Sequence, residues 1–429
     1  MVAYGSLKPG GYIQRLADPL VEKALQNFGG VEICGARWSG KSWTAGAFGE
    51  SIARVDENPD IYLDDPVLAL AGESPHIVDE WQDAPAIWNA ARHRIDDRAN
   101  KPGQFILTGS STPPEAERRH SGAGRIARVR MHTMTLLETG ESSGKVSLAD
   151  LFEQRFEPTG DALGLLDIAQ LICRGGWPAL QDGTRTNASL VVDDYLEALF
   201  EVSMPKAGKS PTLSRRIARS LARNVATSAT LGTISADSAA GEDTAPDSDT
   251  VASYLDVFHR NYFIEEVSGW DAPVRSKSRV RTKPKRYFCD PSLASSLLGV
   301  DPQRIVNDGQ LFGLLFESLC MHEIAAYAAL LPGAGKTPLH YYSDADGLEV
   351  DAVIELSDGR WAGIEIKLGE SKVKDGVANL KRLREKVAAN PAARNPKPEF
   401  MAVLLGKCAV ARYLRDDDVY VVPVGALAP

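Results

Sequence analysis

Short apolar runs alternate with helix-like segments over the first 135 residues of the chain. The apolar runs have the length of strands and lie at 31–33, 61–63, 77–78, 105–107 and 126–131. Segments with helical spacing lie at 19–28, 42–50 and 84–98. In the last of these, Ile87, Ala91 and Ile95 recur every four residues, as on one face of a helix. Because strands that alternate with helices usually pair in parallel, we predict an α/β domain with a mostly parallel sheet.

The pattern changes after residue 135. Residues 136–222 have mainly helical spacing, with one break at 174–178. Residues 226–250 are small, polar and acidic, which fits either a flexible linker or a partly ordered segment with a loose loop. We favour the ordered alternative because Leu231 and Ile234 need burial.

A helix, a strand, a basic stretch and a second strand follow in that order. The helix begins after residues 248–250, and the strands lie near 262–264 and 287–289. Seven basic side chains lie between them: Arg275, Lys277, Arg279, Arg281, Lys283, Lys285 and Arg286. This is the order of a winged helix, whose basic wing could bind a phosphate backbone. A solvated hairpin that carries lysines against edge pairing explains the same residues equally well.

Residues 311–429 have the pattern of a further α/β domain. A helix at 311–327 precedes strand-like runs at 340–342, 349–356, 361–368 and 401–405.

A phosphate-loop pattern, G-x-x-x-x-G-K-[ST], joins the first strand to the helix at 42–50. Its residues are Gly35, Ala36, Arg37, Trp38, Ser39, Gly40, Lys41 and Ser42. The two glycines let successive N–H groups turn toward a phosphate, and the following helix adds its positive end. Lys41 would face the β- and γ-phosphates, and Ser42 would offer a hydroxyl to Mg²⁺. We therefore predict ATP and Mg²⁺ as cofactors.

Polar side chains also end the next two strands. Asp79 and Glu80 provide one carboxylate for Mg²⁺ and one to polarise the attacking water, although a strand entering an acidic turn would look alike. Thr108 and Ser110 end the strand at 105–107. Ligands of open α/β sheets bind outside the carboxyl ends of the strands, so both hydroxyls fall where a γ-phosphate sensor is needed. The order of these groups favours a nucleotide-binding sheet.

A second charged cluster is predicted in the last domain. Glu365 and Lys367 alternate on one strand and share a face, and Asp351 on the preceding strand can lie beside them. Two carboxylates can hold Mg²⁺, and a lysine can polarise a water or a phosphate oxygen. Glu317 adds a carboxylate from the preceding helix. Because Glu and Lys alternate on many exposed strands, a plain solvated strand is the competing interpretation.

Bulk properties limit the class of partner. The 48 basic and 57 acidic residues give a net charge of −9, so nucleic-acid binding would need a local basic patch. The five cysteines are isolated and no C-x-x-C occurs, which argues against zinc and disulfide frameworks. We find no basic-then-apolar leader and no run approaching ~20 apolar residues. We therefore expect a soluble, cytoplasmic protein that binds no membrane.

Several short segments together point to one family: GARWSGKS, YLDDP, IVDEWQDAPAIW, FILTGSS, HSGAGRIARVRM, CRGGWPAL, YFCDPSLASSLLG, LFESL, GLEVDAVIE and GIEIK. The chain resembles bacterial and archaeal AAA-type ATPases that carry a winged helix and a C-terminal restriction-endonuclease-like domain of unknown function. The resemblance covers almost the whole chain.

The resemblance implies roles for matching residues of the nucleotide site. Lys41 and Ser42 would bind phosphate and Mg²⁺, and Asp79 and Glu80 would be the Walker B pair. Thr108 stands at the sensor-I position, where AAA proteins usually have asparagine, so this resemblance does not assign it γ-phosphate sensing.

Three further positions match motifs of related ATPases. Arg125 resembles an arginine finger supplied to a neighbouring subunit, with an ion pair on the sheet edge as the alternative. Gly176 and Pro178 resemble the glycine-x-proline motif by which signalling ATPases contact the base.

The C-terminal cluster also matches the family. Glu317, Asp351, Glu365 and Lys367 correspond to the endonuclease-like core, in which Asp351 and Glu365 would hold the metal.

The resemblance divides the chain into four parts. These are a P-loop AAA-type core at 1–140, a helical lid at 141–222, a winged helix at 223–300 and an endonuclease-like α/β domain at 301–429. We expect an ATPase whose nucleotide state drives or gates the C-terminal domain. The alternative is a nucleotide-dependent switch or scaffold with a non-catalytic domain.

The expected partners are ATP and, through residues 275–286 and the C-terminal domain, DNA or RNA. The sequence leaves open the substrate, the pathway and whether the chain forms a homo-oligomer.

Overall fold

The computed structural model describes residues 2–113, 122–160, 163–181, 183, 185, 187–239, 244–271 and 283–429. The chain divides into two compact units. The first contains Met1–Met134, Trp177–Ala179 and Phe258–Phe263, and the second contains Thr135–Gly176, Leu180–Val257 and Ile264–Pro429.

The first unit is built on a five-stranded sheet of order β2-β3-β4-β1-β5 in which every described pair is parallel. Its strands are β1 (Gly30–Cys34), β2 (Ser51–Arg54), β3 (His76–Asp79), β4 (Phe105–Gly109) and β5 (Ile126–Arg130). Its helices are α1 (Asp18–Asn27), α2 (Lys41–Phe48), α3 (Pro59–Asp64) and α4 (Ala86–Asp97). The register pairs Gly30 with both Phe105 and Ile126, so β1, β4 and β5 start level.

Both faces of this sheet are covered, as the alternation of buried residues requires. Ile106 packs with Val31 and Val21 on one face. Leu107 packs with Trp81 and Trp88 on the other. The predicted parallel α/β sheet is confirmed.

One predicted strand is wrong. Residues 61–63 belong to helix α3, because Pro59 supplies a fixed φ suited to a first helical turn. The apolar side chains of Ile61 and Leu63 are about half exposed, so no neighbouring strand buries them.

The second unit contains a six-stranded mixed sheet of order β13-β14-β12-β11-β10-β9. Its strands are β9 (Ala334–Ser343), β10 (Glu349–Leu356), β11 (Trp361–Gly369), β12 (Phe400–Lys407), β13 (Arg412–Leu414) and β14 (Val419–Pro423). Two small sheets accompany it, formed by β6 (Val146–Ser147) with β15 (Leu427–Ala428) and by β7 (Ile264–Val267) with β8 (Lys285–Phe288).

Helices make up most of the rest of the second unit. They are α5 (Leu148–Phe152), α6 (Leu165–Arg174), α7 (Ala188–Ala198), α8 (Met204–Lys206), α9 (Pro211–Arg223), α10 (Leu231–Ser238), α11 (Ser248–Arg260), α12 (Pro291–Leu298), α13 (Pro302–Asn307), α14 (Gly309–Ala328) and α15 (Val373–Ala388). The last turn of α11 belongs to the first unit. Segment 226–250 is partly helical, and both Leu231 and Ile234 lie in α10.

By its length and composition, helix α14 could cross a membrane. The sequence predicts no apolar segment of that length. Within the protein, 67% of its apolar stretch is buried, as in a core helix.

The described residues supply α11 and the antiparallel pair β7 and β8 of the predicted winged helix. Arg275, Lys277, Arg279 and Arg281 lie outside the described residues. The winged helix and the four-part division therefore stay predictions.

Candidate functional site

The phosphate loop turns sharply between β1 and α2. Gly40 has φ 96°, a conformation that favours glycine. At Gly35, a Cβ would lie 2.2 Å from the carbonyl oxygen of Met131, so the position has no room for a side chain. Both glycines of the predicted pattern are therefore required by the backbone. Between them, Ala36 and Ser39 are buried, while Arg37 and Trp38 are exposed.

Lys41 is buried at the first turn of α2. Its ammonium donates a hydrogen bond to the carbonyl oxygen of Ala36 at 2.8 Å, inside the loop. Burial lowers the pKa of Lys41 to about 8, although the negative charges of Glu80 and Asp79 act in the opposite direction. A buried cation held within a loop of backbone N–H groups is suited to a phosphate.

Asp79 links the ends of three elements. Its Oδ1 accepts a hydrogen bond from Oγ of Ser42 at 2.9 Å and another from the hydroxyl of Thr108. The Thr108 hydroxyl also accepts the amide N–H of Glu80 at 3.1 Å. Thr108 is fully buried, and these contacts position Asp79 and Glu80. Thr108 lies near the carboxyl end of β4. Its role as a γ-phosphate sensor stays a prediction.

Glu80 is held by residues that follow β3 and β4. Its backbone has φ 54° and ψ 45°, a left-handed conformation rare for a glutamate. Its Oε2 accepts hydrogen bonds from Oγ of Ser110 at 2.8 Å and from the amide of Gln82. Sequence reasoning gave no role to Gln82, which lies two positions after the acid it contacts.

The N-terminal segment contacts the phosphate loop through Arg15, another residue that sequence reasoning missed. Its Nη1 donates to the carbonyl oxygen of Ser39 at 2.7 Å, and its Nη2 donates to that of His132 at 2.9 Å. Buried Asp18 accepts the backbone N–H of Arg15 and the hydroxyl of Tyr12. Since the guanidinium contacts distant backbone carbonyls, no local sequence pattern indicates this role.

The predicted base-contacting residues fall in different units. Gly176 belongs to the second unit, where its N–H donates to the carboxylate of Asp290 at 2.8 Å. Pro178 belongs to the first unit, and its Cγ lies 3.4 Å from the place that a Cβ on Gly40 would take. Pro178 is therefore at the phosphate loop, and the role of Gly176 in base binding stays a prediction.

Arg125 lies at the opposite edge of the sheet from the phosphate loop. Its carbonyl oxygen accepts the N–H of Gly30, at the start of β1, whereas the loop follows Cys34 at the end of that strand. A five-residue strand spans roughly 16 Å, so Arg125 does not reach the loop of its own chain. Its guanidinium pairs with Asp96 at 2.9 Å, and both side chains are substantially exposed. Exposed ion pairs of this kind contribute little to stability.

The strands of the last sheet bring the residues of the predicted C-terminal cluster together. Ala352 pairs with Ile364 across β10 and β11, which sets Asp351 beside Glu365. The Lys367 ammonium lies 3.2 Å from Oδ2 of Asp351 and contacts Oε2 of Glu365. Backbone N–H of Ile366 donates to the same Asp351 oxygen at 2.8 Å. The three charged side chains therefore share one face.

A second lysine, which sequence reasoning assigned to the basic hairpin, completes this cluster. Nζ of Lys285 lies 2.9 Å from Glu317 Oε1, 2.6 Å from Glu349 Oε1 and 3.9 Å from Asp351 Oδ1. Only 2% of Lys285 is exposed. Residues 285 and 287 share a face of β8, and the Tyr287 hydroxyl also donates to Glu317 at 2.9 Å. Lys285 therefore points into the protein and does not belong to an exposed basic surface.

Burial and mutual repulsion govern the titration of this cluster. Burial, followed by the negative charge of Asp351, raises the pKa of both Glu317 and Glu365. Burial alone would lower the pKa of Lys285, but the surrounding carboxylates outweigh it and raise that pKa. The two lysines are therefore held as cations.

The two predicted metal sites differ in how well they fit a divalent cation. Ser42 and Asp79 bring a hydroxyl and a carboxylate oxygen together beside the phosphate loop, a donor set that Mg²⁺ uses with nucleotide phosphates. At the second site, the Lys367 ammonium lies between Asp351 and Glu365, where a metal ion would have to bind. Within the described residues, no three His, Cys, Asp or Glu side chains are grouped to hold a metal ion. The C-terminal arrangement does not fit one.

Comparison with protein families gives a match over the segment that contains the phosphate loop. Residues 29–140 match a family described as AAA domain. Residues 165–304 and 312–427 match two families described as domains of unknown function, DUF8612 and DUF4143. No curated protein matches the sequence.

Solved structures with detectable similarity are distant. The Walker-type ATPase of Pyrococcus abyssi has 12% identity and a TM-score of 0.43, over 68% of this chain and 97% of that one. DnaA from Aquifex aeolicus bound to AMPPCP has 15% identity and a TM-score of 0.27, over 58% and 89% of the two chains. A RuvB variant from Thermotoga maritima has 16% identity and a TM-score of 0.28, over 58% and 88%.

The family match and the parallel sheet identify residues 29–140 as an AAA domain with the fold of P-loop ATPases. It is followed by two segments, 165–304 and 312–427, that match families without an assigned function.

The lowered pKa of Lys41 predicts a pH-dependent affinity for ATP. The phosphates of bound ATP favour the ammonium form, so binding above pH 8 should take up a proton, and affinity should fall as the pH rises further. Calorimetry at pH 7 and 9, in buffers of different ionisation enthalpy, measures this uptake. Lys41→Ala should abolish tight binding, and Lys23→Ala, at an exposed position of α1, should not. Unchanged affinity in Lys41→Ala would contradict the assignment.

Action of Arg125 on the nucleotide of a neighbouring subunit stays a prediction, and its ion pair with Asp96 is the contact that the alternative expects. Arg125→Ala should leave ATP binding intact and reduce turnover by ~10³–10⁵-fold, the contribution of such fingers elsewhere. Mixing it with Lys41→Ala subunits, which retain Arg125, should restore part of the activity. Asp96→Ala, which removes only the ion pair, should keep full turnover. Wild-type turnover per subunit that does not depend on concentration would count against action in trans.

Proposed function

We propose that the protein hydrolyses ATP at the carboxyl edge of the first sheet. One observation carries the proposal: Ser42, Asp79, Thr108, Glu80 and Ser110 form a continuous hydrogen-bonded set that fixes the carboxylates of Asp79 and Glu80. The set holds two carboxylates next to a buried lysine. This is the arrangement that transfer of a phosphoryl group to water needs.

Each residue has a distinct task in the proposed reaction. Lys41 and the loop N–H groups bind the β- and γ-phosphates, while Ser42 and Asp79 would hold Mg²⁺. The metal would neutralise charge on the phosphates when it is bound. Glu80 accepts a hydrogen bond from the attacking water and orients it toward the γ-phosphate. Ser110 and Gln82 fix the direction of the Glu80 carboxylate.

Replacing Glu80 tests the hydrolytic step separately from binding. Glu80→Gln keeps the size and hydrogen bonds of the side chain but removes its basicity, so ATP should stay bound while turnover falls by ~10²–10⁴-fold. Phosphate release and nucleotide affinity measure the two effects. Glu73→Gln, at an exposed position before β3, is the matched control. If Glu80→Gln and the wild type turned over ATP at the same rate, Glu80 would have only a structural role.

We further propose that the nucleotide state gates a nucleic-acid-interacting C-terminal domain. Its support is the assembled cluster of Glu317, Asp351, Glu365 and Lys367 and the basic sequence that precedes β8. Cleavage of nucleic acid by this cluster is the second candidate function, and it would require a metal ion to displace Lys367 from between Asp351 and Glu365. The alternative of a non-catalytic binding domain gains support from the two ammonium groups among the carboxylates.

A binding and cleavage assay distinguishes these functions. DNA and RNA, single- and double-stranded, are incubated with Mg²⁺ and the Glu80→Gln protein, with and without ATP. Gating predicts an affinity that differs between the two conditions, and equal affinity would contradict it. Cleavage by the wild type that is lost in Asp351→Ala, but kept in Asp358→Ala on the exposed β10–β11 turn, would establish the second candidate.

A further inference from the structure

Lys285 reaches the C-terminal cluster from outside the strands that carry the other members. It lies at the start of β8, whereas Asp351 and Glu365 lie on β10 and β11 and Glu317 on α14. Its side chain is almost fully buried with the ammonium between three carboxylates. A buried cation with this many anionic neighbours is a permanent part of the charge balance, since an unpaired buried charge is strongly unfavourable.

Two ammonium groups, those of Lys367 and Lys285, contact different carboxylates of the cluster and share only Asp351. Lys367 contacts Asp351 and Glu365. Lys285 contacts Glu317, Glu349 and Asp351, at 2.6–3.9 Å from Nζ to oxygen. The shorter of these are N–O hydrogen-bond distances, whereas Mg²⁺ binds oxygen at about 2.0–2.1 Å and Ca²⁺ at about 2.3–2.6 Å. The two ammonium groups therefore occupy the space beside the carboxylate oxygens.

The hydrogen bonds of the cluster are also directed at these partners. Asp351 receives the Lys367 ammonium and the Ile366 N–H on one oxygen, while its other oxygen faces Lys285. Glu365 accepts a hydrogen bond from the side-chain amide of Asn379 at 3.2 Å on Oε1, and its Oε2 forms an ion pair with Lys367. A divalent cation would have to displace at least one lysine to reach two carboxylates at once.

We propose that Lys285 is an internal counter-ion that closes the C-terminal cluster to divalent cations. The protein consequently has no metal at Asp351 and Glu365, and its C-terminal domain binds its partner without metal-dependent cleavage. The inference rests on the geometry of the second unit and not on ATP hydrolysis.

Removing Lys285 should convert the cluster into a metal site. Without it, four carboxyl groups face the single ammonium of Lys367, so a divalent cation replaces the lost positive charge. Replacement by arginine should keep the cluster closed, because the cation is retained.

The test is Mn²⁺ binding by the full chain in a Lys41→Ala background, without nucleotide, so that the phosphate-loop site and ATP hydrolysis do not contribute. Binding is followed by the loss of the free-ion electron paramagnetic resonance signal and by the thermal unfolding midpoint. The parent protein and Lys285→Arg should show no saturable binding below about 1 mM, the weak end of protein sites for such cations. Lys285→Met should gain one saturable site and a Mn²⁺-dependent rise in midpoint.

Two controls define where the ion binds. Asp351→Ala, added to Lys285→Met, should abolish the new site, while Lys372→Met at an exposed position should create none. Saturable binding by the parent that Asp351→Ala removes would overturn the proposal. A folded Lys285→Met protein without a site would overturn it as well. If Lys285→Met folds only when Mn²⁺ is present, the ion is replacing the lysine, and the proposal is supported.

Discussion

The nucleotide site depends on the parallel pairing of β1 with β4 and β5. Parallel strands that start level also end level, so the phosphate loop after Cys34 and the hydroxyls after Leu107 emerge at one edge. Strand β3 joins the same sheet and delivers Asp79 there. Antiparallel pairing of any of these strands would send its polar end to the opposite edge. The same rule places Arg125 away from the site of its own chain. Arg125 precedes β5, whereas the loop follows β1, the parallel strand beside it.

The buried lysines Lys41 and Lys285 differ in how far neighbouring negative charges compensate them. Lys41 and Lys285 are both buried, yet burial lowers the pKa of the first while carboxylates raise that of the second. Lys41 donates to a backbone carbonyl and stands beside an anion-binding loop, so the charge of an incoming phosphate improves its balance. Lys285 is balanced by Glu317, Glu349 and Asp351 already. A buried cation thus indicates a ligand site only where its balance is incomplete.

Sequence reasoning succeeded where the signal is local. The phosphate loop and the acids after β3 lie within a few residues of the strand that positions them, and strand alternation was enough to bring Asp351, Glu365 and Lys367 together. It failed at residues 61–63, where three apolar residues have no strand partner and Pro59 favours a helical turn. Arg15 and Lys285 were missed for another reason. The partners that the Arg15 guanidinium and the Lys285 ammonium contact lie 24 or more residues away, and Lys285 also belonged to a segment with a plausible surface role.

The position of Lys285 also bears on where the C-terminal domain begins. The predicted division at residue 300 would assign Lys285 and Tyr287 to the winged helix, yet both contact Glu317 on α14. By contacts, residues from Ile264 onward form one unit with the last sheet. A fragment that starts at 301 would keep the four carboxyl groups and Lys367 but lose the other cation. Its net charge and affinity for cations would then differ from those of the intact chain. The chemistry of this cluster is therefore a property of β8 and the mixed sheet together, and a domain boundary drawn from sequence similarity alone divides it.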